Sequence, residues 1–205
     1  SANTCMAHRG PDADGFYFNE SKRVGLGHRR LSILDLSTAA NQPMFSHNGR
    51  HVMVFNGEVY NFKEIAARLD IHTNTTSDTE VILEAFARKG PECVHLFNGM
   101  FAIAIYDTGK DEMYLLRDRL GVKPLYYFEH ESTIAFSSEI KALRQLKYVK
   151  DNTTVYKPAV ATFLYAGYIP EPYTIHANVR KLPAGSYAVV KNGVTEIKSY
   201  WKPEE

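Results

Sequence analysis

The spacing of apolar residues predicts two helices in the first half of the chain. Within residues 61–69 the apolar side chains fall on one face of a helix. Ser77, followed three residues later by Glu80, is a capping-box pair and predicts the start of a second helix. The pair Gly90-Pro91 predicts its end. Extended segments are predicted before these helices, at residues 24–33 and 51–55.

The second half of the chain has the pattern of successive antiparallel strands. Residues 100–106 form a nearly continuous apolar run, which is typical of a strand buried on both faces. The pair Asn192-Gly193 predicts a hairpin turn, and residues 138–146 predict a short amphipathic helix. The remaining strands are predicted at residues 113–116, 124–128, 133–136, 186–190 and 194–200.

Together these elements predict an α+β protein in which two layers of sheet are covered by helices, although the pattern alone does not separate this from other α+β folds. The 205 residues are 44% apolar and suffice for one domain with a substantial core. The net charge of +1 gives no electrostatic case for binding nucleic acid or an anionic membrane. No apolar run is long enough to span a bilayer.

Cysteine and histidine usage bears on compartment and metal binding. The chain has two cysteines, no CxxC motif and no signal peptide at its start. This usage favours the reducing cytoplasm, although a single disulfide between the two stays open. The eight histidines show no metal-ligand spacing, and we therefore expect no metal.

The pair Asn56-Gly57 is a candidate oxyanion site. An Asn side-chain amide and an adjacent Gly backbone N–H can converge on one developing negative oxygen. Glycine also lets the backbone approach a ligand closely. The alternative is an ordinary turn, since Asn-Gly favours turns with positive φ, and the two residues taken alone favour this alternative.

Three charged residues are candidates for binding the ends of a ligand. Asp78 lies in the first turn of the second predicted helix, where it would bind an ammonium group or simply interact with the helix dipole. Arg30 would clamp a carboxylate in a bidentate pair or form a strand-edge ion pair. Glu58 has the same ambiguity. For each residue alone the structural alternative is the commoner one.

A dense charged loop is predicted at residues 117–124, RDRLGVKP. Its glycine spacing fits neither a dinucleotide-binding motif nor a P-loop. We interpret it as a solvated turn with local ion pairs.

Taken together and in this order, the polar motifs resemble the glutaminase domain of asparagine synthetases, a class II glutamine amidotransferase domain. The resemblance covers nearly the whole chain. It rests on residues 8–12 (HRGPD), 27–33 (GHRRLSI), 56–61 (NGEVYN), 77–80 (SDTE), 98–102 (NGMFA), 117–126 (RDRLGVKPLY), 138–143 (SEIKAL) and 182–187 (LPAGSY).

The resemblance implies the fold, the reaction and the site. The fold would be an αββα sandwich of the N-terminal-nucleophile hydrolase type, with two antiparallel sheets between helix layers. The reaction would be hydrolysis of glutamine to glutamate and ammonia, which a second domain consumes. Asn56 and Gly57 match the family's oxyanion hole, and Arg30 matches the residue that binds the glutamine α-carboxylate. Glu58 and Asp78 match residues that bind its α-amino group.

Two departures from the family change the expectation for this chain. The family begins with a cysteine whose thiol attacks glutamine and whose own α-amine acts as base. This chain begins SANT, and Cys5 lacks both the Gly-Ile sequel and a free amine. We therefore expect that the first strand, with its nucleophile, is missing here and that the chain alone is inactive. The family's synthetase domain, which would bind ATP and Mg²⁺ through a Ser-Gly-Gly-x-Asp-Ser loop, has no counterpart in this sequence and is the expected partner.

Two alternatives stay open at this point. The domain would be a non-catalytic module that senses glutamine or serves as an interface, or an amidotransferase with a different ammonia acceptor. The oligomeric state also stays open, and a homodimer is one of its alternatives.

Overall fold

The computed structural model describes residues 2–21, 23–31 and 40–203. Its strands are β1 (Ala13–Phe18), β2 (Gly25–Arg30), β3 (Met44–Phe45), β4 (His51–Val59), β5 (Gly99–Asp107), β6 (Glu112–Arg117), β7 (Tyr126–His130), β8 (Thr133–Ser137), β9 (Val179–Lys181), β10 (Ser186–Lys191) and β11 (Val194–Ser199). Its α-helices are α1 (Phe62–Leu69), α2 (Asp78–Lys89), α3 (Ile140–Leu143), α4 (Lys147–Asp151) and α5 (Lys157–Ala166), and 3₁₀ helices cover Thr4–Arg9 and Gly90–Leu96.

The strands form two stacked layers. The main sheet has the order β11-β10-β6-β5-β4-β3, and its neighbouring strands are antiparallel. The second layer consists of the antiparallel pair β1-β2 and the three-stranded sheet β8-β7-β9. β5 is buried along most of its length because both faces of the main sheet are covered, as its apolar run predicts.

Three apolar clusters fix the order of the layers as helix, sheet, sheet, helix. The first lies between the main sheet and helices α1 and α2, and includes Phe55, Ile82, Phe86, Phe101 and Ile103. The second lies between the two sheet layers, and includes Leu26, Val54, Ala104, Leu115 and Tyr127. The third packs the second layer against α3 and α4, through Phe128, Leu143, Val149 and Val179. This arrangement confirms the predicted αββα fold.

Helix α2 starts at the predicted place, but its cap differs from the predicted capping box. Ser77 Oγ accepts a hydrogen bond from the Thr79 N–H at 3.1 Å, as an N-cap residue does. The Glu80 carboxylate does not return to the Ser77 N–H. It reaches further back instead, to the N–H groups of Asn74 and Thr75 at 2.9 and 2.8 Å. The box is therefore half formed, and its Glu organises the loop before the helix.

Other predicted elements differ in extent. β4 continues to Val59, so Asn56 and Gly57 lie inside a strand and the turn interpretation of this pair is wrong. The helix predicted at residues 138–146 is only the short α3, with α4 following as a separate helix. The hairpin at Asn192 and Gly193 is confirmed, with φ of 50° and 75°. Residues 32–33 of the strand predicted at 24–33 lie outside the described residues.

Candidate active site

The outer edge of β4 is the framework of the candidate site. β3 pairs with β4 only as far as Met53, so the later part of this edge has no strand partner within the described ranges. Side chains bond to the backbone there instead. Gln42 Oε1 accepts from the Phe55 N–H at 2.6 Å, and Asp78 Oδ2 accepts from the Val59 N–H at 2.9 Å.

The Gly57 N–H lies between the N–H groups of Phe55 and Val59, which are both hydrogen-bonded to side chains. Gly57 is opposite Phe101 in the β4–β5 register. The N–H and C=O of Phe101 both bond to Asp118 on the far side of β5, at 3.2 and 2.9 Å. Because backbone groups alternate between the two edges of an antiparallel strand, the Gly57 N–H points away from β5, like those of Phe55 and Val59. In the part of the chain that the structure describes, we find no acceptor for it.

Only glycine fits at this position. Gly57 has a φ of +152°, and a Cβ there would lie 2.0 Å from the Met100 carbonyl oxygen and 2.7 Å from the Phe101 Cα. Both contacts are with backbone atoms of β5, which a side chain cannot push aside without shifting the strand. The close approach of β4 to β5 at this point therefore requires glycine.

Asn56 faces the space between the two sheet layers. Its Nδ2 lies 3.4 Å from Ser138 Oγ, and its side chain lines a cavity of about 480 Å³. Residues 54–56 and 102–104 of the main sheet form one wall of this cavity. Residues 25–29 of β2 line it from one side, and residues 136–138 at the end of β8 line it from another. The cavity therefore separates the two pieces of the second layer beside the Asn56 amide.

The structure brings Asp78 and Glu58 together near the same edge. Asp78 is the first residue of α2 and is only 4% exposed. Burial raises the pKa of its carboxyl group, and the negative charge of Glu58 raises it further, despite hydrogen bonds from Val59 and Thr79. An interaction with the helix dipole is thus only part of the environment of Asp78. Two carboxylates that repel each other form an attractive site for a cation.

Arg30 lies at the end of β2 and is largely buried. Its Nη1 donates to Asn41 Oδ1 at 2.7 Å, and its carbonyl oxygen accepts from the Asp12 N–H at 3.1 Å. By strand alternation it shares a face of β2 with His28, whose ring bonds to the Phe55 carbonyl oxygen of β4. Arg30 therefore faces the β4 side, but no described contact joins it to Asn56 or Gly57.

Two residues at the site were not assigned a role from the sequence. Gln42 and His28 bond to the N–H and the C=O of Phe55, at 2.6 and 3.1 Å. Gln42 is in none of the motifs, and its contact with Phe55 spans 13 residues of sequence. No local sequence signal could have identified this contact.

Neither cysteine is placed to act at Asn56. Cys93 is fully buried in the core between the main sheet and α2, where burial strongly raises the pKa of its thiol. Cys5 donates its S–H to the Ala2 carbonyl within the first 3₁₀ helix, and it is not among the described residues that line the cavity. Both thiols are free, so the open alternative of a disulfide is wrong.

The charged loop at residues 117–124 is a solvated turn only at its tip, where Leu120 and Val122 are 74% and 55% exposed. Arg117 and Asp118 are 5% and 1% exposed. Asp118 accepts hydrogen bonds from the N–H groups of Val122 and Lys123, both at 2.9 Å. The Arg117 Nε donates to the Lys123 carbonyl at 3.0 Å. Arg117 and Asp118 are therefore a buried polar anchor of the loop, at the end of β6 and beside the start of β5.

Residues 2–21, 23–31 and 40–203 contain neither a membrane-spanning helix nor a cluster of metal-binding side chains. None of the helices is both long and apolar enough to cross a membrane. No group of three or more His, Cys, Asp or Glu side chains is arranged to hold a metal ion. The expectation that this domain needs no metal stays a prediction.

Sequence comparison identifies the class of protein. Residues 1–201 match the family described as the glutamine amidotransferase domain, and the chain belongs to this family. Relatives include the putative asparagine synthetase [glutamine-hydrolyzing] 2 of Methanocaldococcus jannaschii, which is 37% identical over 97% of this chain and 42% of its own length. Asparagine synthetase [glutamine-hydrolyzing] 1 of Bacillus subtilis is 35% identical over 98% of this chain and 31% of its own length. Asparagine synthetase B [glutamine-hydrolyzing] of Escherichia coli is 37% identical over 96% of this chain and 30% of its own length.

Solved structures agree with the fold. The glutamine phosphoribosylpyrophosphate amidotransferase of B. subtilis aligns with a TM-score of 0.69 and 17% identity, over 98% of this chain and 46% of that one. A structure described as the allosteric regulatory enzyme of purine biosynthesis aligns with a TM-score of 0.61 and 18% identity, over 87% of this chain and 35% of that one. At such identities the likeness shows the fold alone, and it confirms the N-terminal-nucleophile hydrolase type. The chain spans less than half of the length of these relatives.

Proposed function

We propose that this domain hydrolyses glutamine to glutamate and ammonia, and that an ATP-dependent asparagine synthetase domain of a longer protein uses the ammonia. The observation that supports this most is the outward-facing Gly57 N–H, which lies next to the Asn56 amide on the same strand. Asparagine synthetases described as glutamine-hydrolysing match nearly the whole chain at 35–37% identity, which supports both the reaction and the acceptor.

In this proposal Asn56 and Gly57 form the oxyanion hole. Attack on the glutamine carboxamide turns its carbonyl oxygen into an oxyanion. The Asn56 Nδ2–H and the Gly57 N–H donate to this oxygen and stabilise the tetrahedral intermediate. The Gly57 N–H is fixed before the substrate arrives, because β4 is paired with β5 along its whole length. Such a preorganised donor needs no rearrangement during the reaction.

The charged residues bind the amino-acid end of glutamine. Asp78 and Glu58 receive the α-ammonium group, whose positive charge relieves the repulsion between the two carboxylates. One oxygen of Asp78 accepts from Val59. Its other oxygen has long contacts of 3.5 Å with the hydroxyl groups of Ser77 and Thr79, which leaves it capacity to accept from the ligand. Arg30 binds the α-carboxylate in a charge-assisted pair.

The nucleophile in this proposal is a cysteine at the start of a strand that fills the cavity. Since β2 and β8 both line the cavity, a strand there would join the two pieces of the second layer and place its first residue beside Asn56. The thiolate attacks the carboxamide carbon, the C–N bond breaks, and ammonia leaves with a proton from the α-ammonium of the cysteine. Water then hydrolyses the thioester to glutamate. The positions of Cys5 and Cys93 support a nucleophile from outside this sequence, so we propose that the 205-residue chain alone is inactive.

The test compares the natural protein that contains this sequence with the 205-residue chain. We expect glutamate release from glutamine by the natural protein and none by the chain alone. Cys5→Ala and Cys93→Ala should leave the activity of the natural protein unchanged. Turnover by the chain alone, or loss of turnover in Cys5→Ala, would contradict the proposed nucleophile.

The same assay separates the other functions. Glutamine binding without hydrolysis by the natural protein would indicate a sensing module. The acceptor is tested with ammonia, aspartate, ATP and Mg²⁺, from which we expect asparagine. Glutamine hydrolysis without any asparagine formation would indicate an amidotransferase with a different acceptor.

A further inference from the structure

The backbone of Phe55 is held on both of its polar groups by side chains. Gln42 Oε1 accepts from its N–H at 2.6 Å, and the His28 Nε2 lies 3.1 Å from its carbonyl oxygen. This carbonyl belongs to the peptide bond that joins Phe55 to Asn56. A rotation of that peptide would redirect the Asn56 side chain and displace Gly57, the next residue.

His28 is suited to donate to this carbonyl. Burial, together with the nearby Arg30 charge, lowers the pKa of its imidazole to about 4, so the ring is neutral at neutral pH. A neutral imidazole that bonds to a carbonyl oxygen through Nε2 carries its proton there. The buried Nδ1 has no hydrogen-bond partner among the described residues. Among the described residues the ring therefore makes one directed hydrogen bond, to the Phe55 carbonyl oxygen.

His28 and Gln42 are connected through Gly15 of the β1–β2 hairpin. His28 is opposite Gly15 in the register of this hairpin. A Cβ at Gly15 would lie 2.1 Å from the Gln42 carbonyl oxygen, so the backbones of Gly15 and Gln42 are in close contact. The hairpin thus places His28 and Gln42 beside each other, where one bonds to the carbonyl oxygen and the other to the N–H of Phe55 in β4. This explains why glycine is needed at position 15.

We propose that His28 and Gln42 are positioning residues for the oxyanion hole. Among the described residues β4 has no strand partner beyond Met53. His28 and Gln42 bond to Phe55 there instead and fix its peptide, which aims the Asn56 amide and the Gly57 N–H at the reacting oxygen. The inference rests on the proposed glutaminase function. It gives His28 and Gln42 a part in catalysis without contact with the substrate.

The test uses Gln42→Leu and His28→Ala in the natural protein, with active sites counted by covalent labelling of the nucleophilic thiol. Because small misplacements of a catalytic group are costly, we expect kcat per active site for glutamine hydrolysis to fall on the order of 10- to 100-fold. The KM for glutamine should stay within about twofold, since the groups that bind the amino-acid end are unchanged. Gln42→Glu keeps an acceptor oxygen and should recover most of the lost kcat.

A second measurement separates positioning from a general loss of stability. Glutamate γ-semialdehyde forms a tetrahedral adduct with a thiol and uses the oxyanion hole, whereas glutamate does not form this adduct. In Gln42→Leu and His28→Ala, affinity for the aldehyde should fall in proportion to kcat, while affinity for glutamate is retained. Gln145→Leu, which makes the same change at an exposed glutamine, is the matched control and should behave as wild type.

The outcomes distinguish the two proposals. Glutamine hydrolysis by the wild type with unchanged kcat in Gln42→Leu and His28→Ala would overturn the positioning role alone. An equal loss of affinity for glutamate and for the aldehyde would also overturn it, because it would show a structural effect on the whole site. A wild-type protein that does not hydrolyse glutamine would overturn the proposed function, and the positioning role with it.

Discussion

The two halves of β4 are bonded in different ways along the same edge. At Val52 and Met53 the edge pairs with β3 in an ordinary antiparallel ladder. Beyond that point Gln42 and Asp78 bond to the N–H groups of Phe55 and Val59. A partner strand would use every donor along an edge, whereas side chains bond only to selected ones. Strand β4 therefore keeps its position while the Gly57 N–H, within the described ranges, has no acceptor and is available for the proposed oxyanion hole.

The largest expected effect comes from removing the side-chain donor beside this edge. Asn56→Ala should lower kcat for glutamine hydrolysis by about 10²- to 10³-fold, because one of two oxyanion donors is lost. Steady-state kinetics of the natural protein measures this. Asn152→Ala, on the far side of the second layer, serves as control and should be active. A kcat within a factor of a few of wild type would remove Asn56 from the oxyanion hole.

The next effect concerns the close approach of β4 to β5. Gly57→Ala should destabilise the domain by about 3 kcal/mol, since its Cβ would overlap the β5 backbone. Gly49→Ala is the matched control, because Gly49 also has a positive φ of 71° but has no atom within 4 Å of its Cβ position. We expect Gly49→Ala to cost about 1 kcal/mol, the strain of a left-handed residue alone. Equal losses in denaturant unfolding would show that the steric argument for Gly57 is wrong.

Asp78→Asn removes the negative charge at this edge of β4 but keeps the hydrogen bond to the backbone, because the Asn side-chain oxygen can still accept from the Val59 N–H. The KM for glutamine should rise by roughly 10- to 100-fold through loss of a charge-assisted hydrogen bond. Asp70→Asn, at an exposed carboxylate, should leave KM unchanged. An unchanged KM in Asp78→Asn would mean that Asp78 does not bind the ammonium group.

The same substitution should make the folded domain more stable at neutral pH, although it weakens glutamine binding. The pKa of Asp78 is raised in the folded state above its ordinary value of 3.8, so the charged form is less favourable in the folded than in the unfolded chain. Ionisation of Asp78 therefore lowers the free energy of unfolding. The domain is more stable when Asp78 is protonated, and this stability is lost as pH rises through the pKa of the folded state. At neutral pH Asp78→Asn should raise the unfolding midpoint, and the gain over wild type should shrink as pH falls toward 3.8. A lower midpoint at neutral pH would show that the Asp78 carboxylate stabilises the fold.

A smaller effect is expected at the start of α2. Ser77→Ala removes the N-cap acceptor for the Thr79 N–H and should cost about 1 kcal/mol. Thermal unfolding would measure it. Because Asp78 follows Ser77 directly, a rise in KM with this variant would show that the cap also orients the carboxylate.

The sequence predicts the fold best where burial shows in the pattern. Helix α2 and strand β5 have continuous buried surfaces, and both were predicted within a few residues. Strand β1 and helix α5 were not predicted, because several of their large apolar residues are exposed. Phe16 and Phe18 of β1 are 54% and 63% exposed, and Tyr165 of α5 is 95% exposed. Neither element therefore shows the period of a one-sided core.

The site shows a similar limit. The types of chemistry that Asn56, Gly57 and Asp78 offer could be stated from the sequence, but the direction of the Gly57 N–H depends on the register of three strands. The contacts of Gln42 and Asp118 with this framework also join positions that are distant in sequence. Such long-range contacts leave no periodic pattern, so only the structure reveals them.

A crystal structure of the natural protein with glutamate bound tests the central claim most directly. We expect an oxygen of the glutamate side-chain carboxylate to accept from both the Gly57 N–H and the Asn56 Nδ2, with the α-ammonium against Asp78. Phe55 should still be bonded to Gln42 and His28 in that structure. Glutamate bound elsewhere, or a Gly57 N–H bonded to the protein instead of the ligand, would contradict the proposed oxyanion hole.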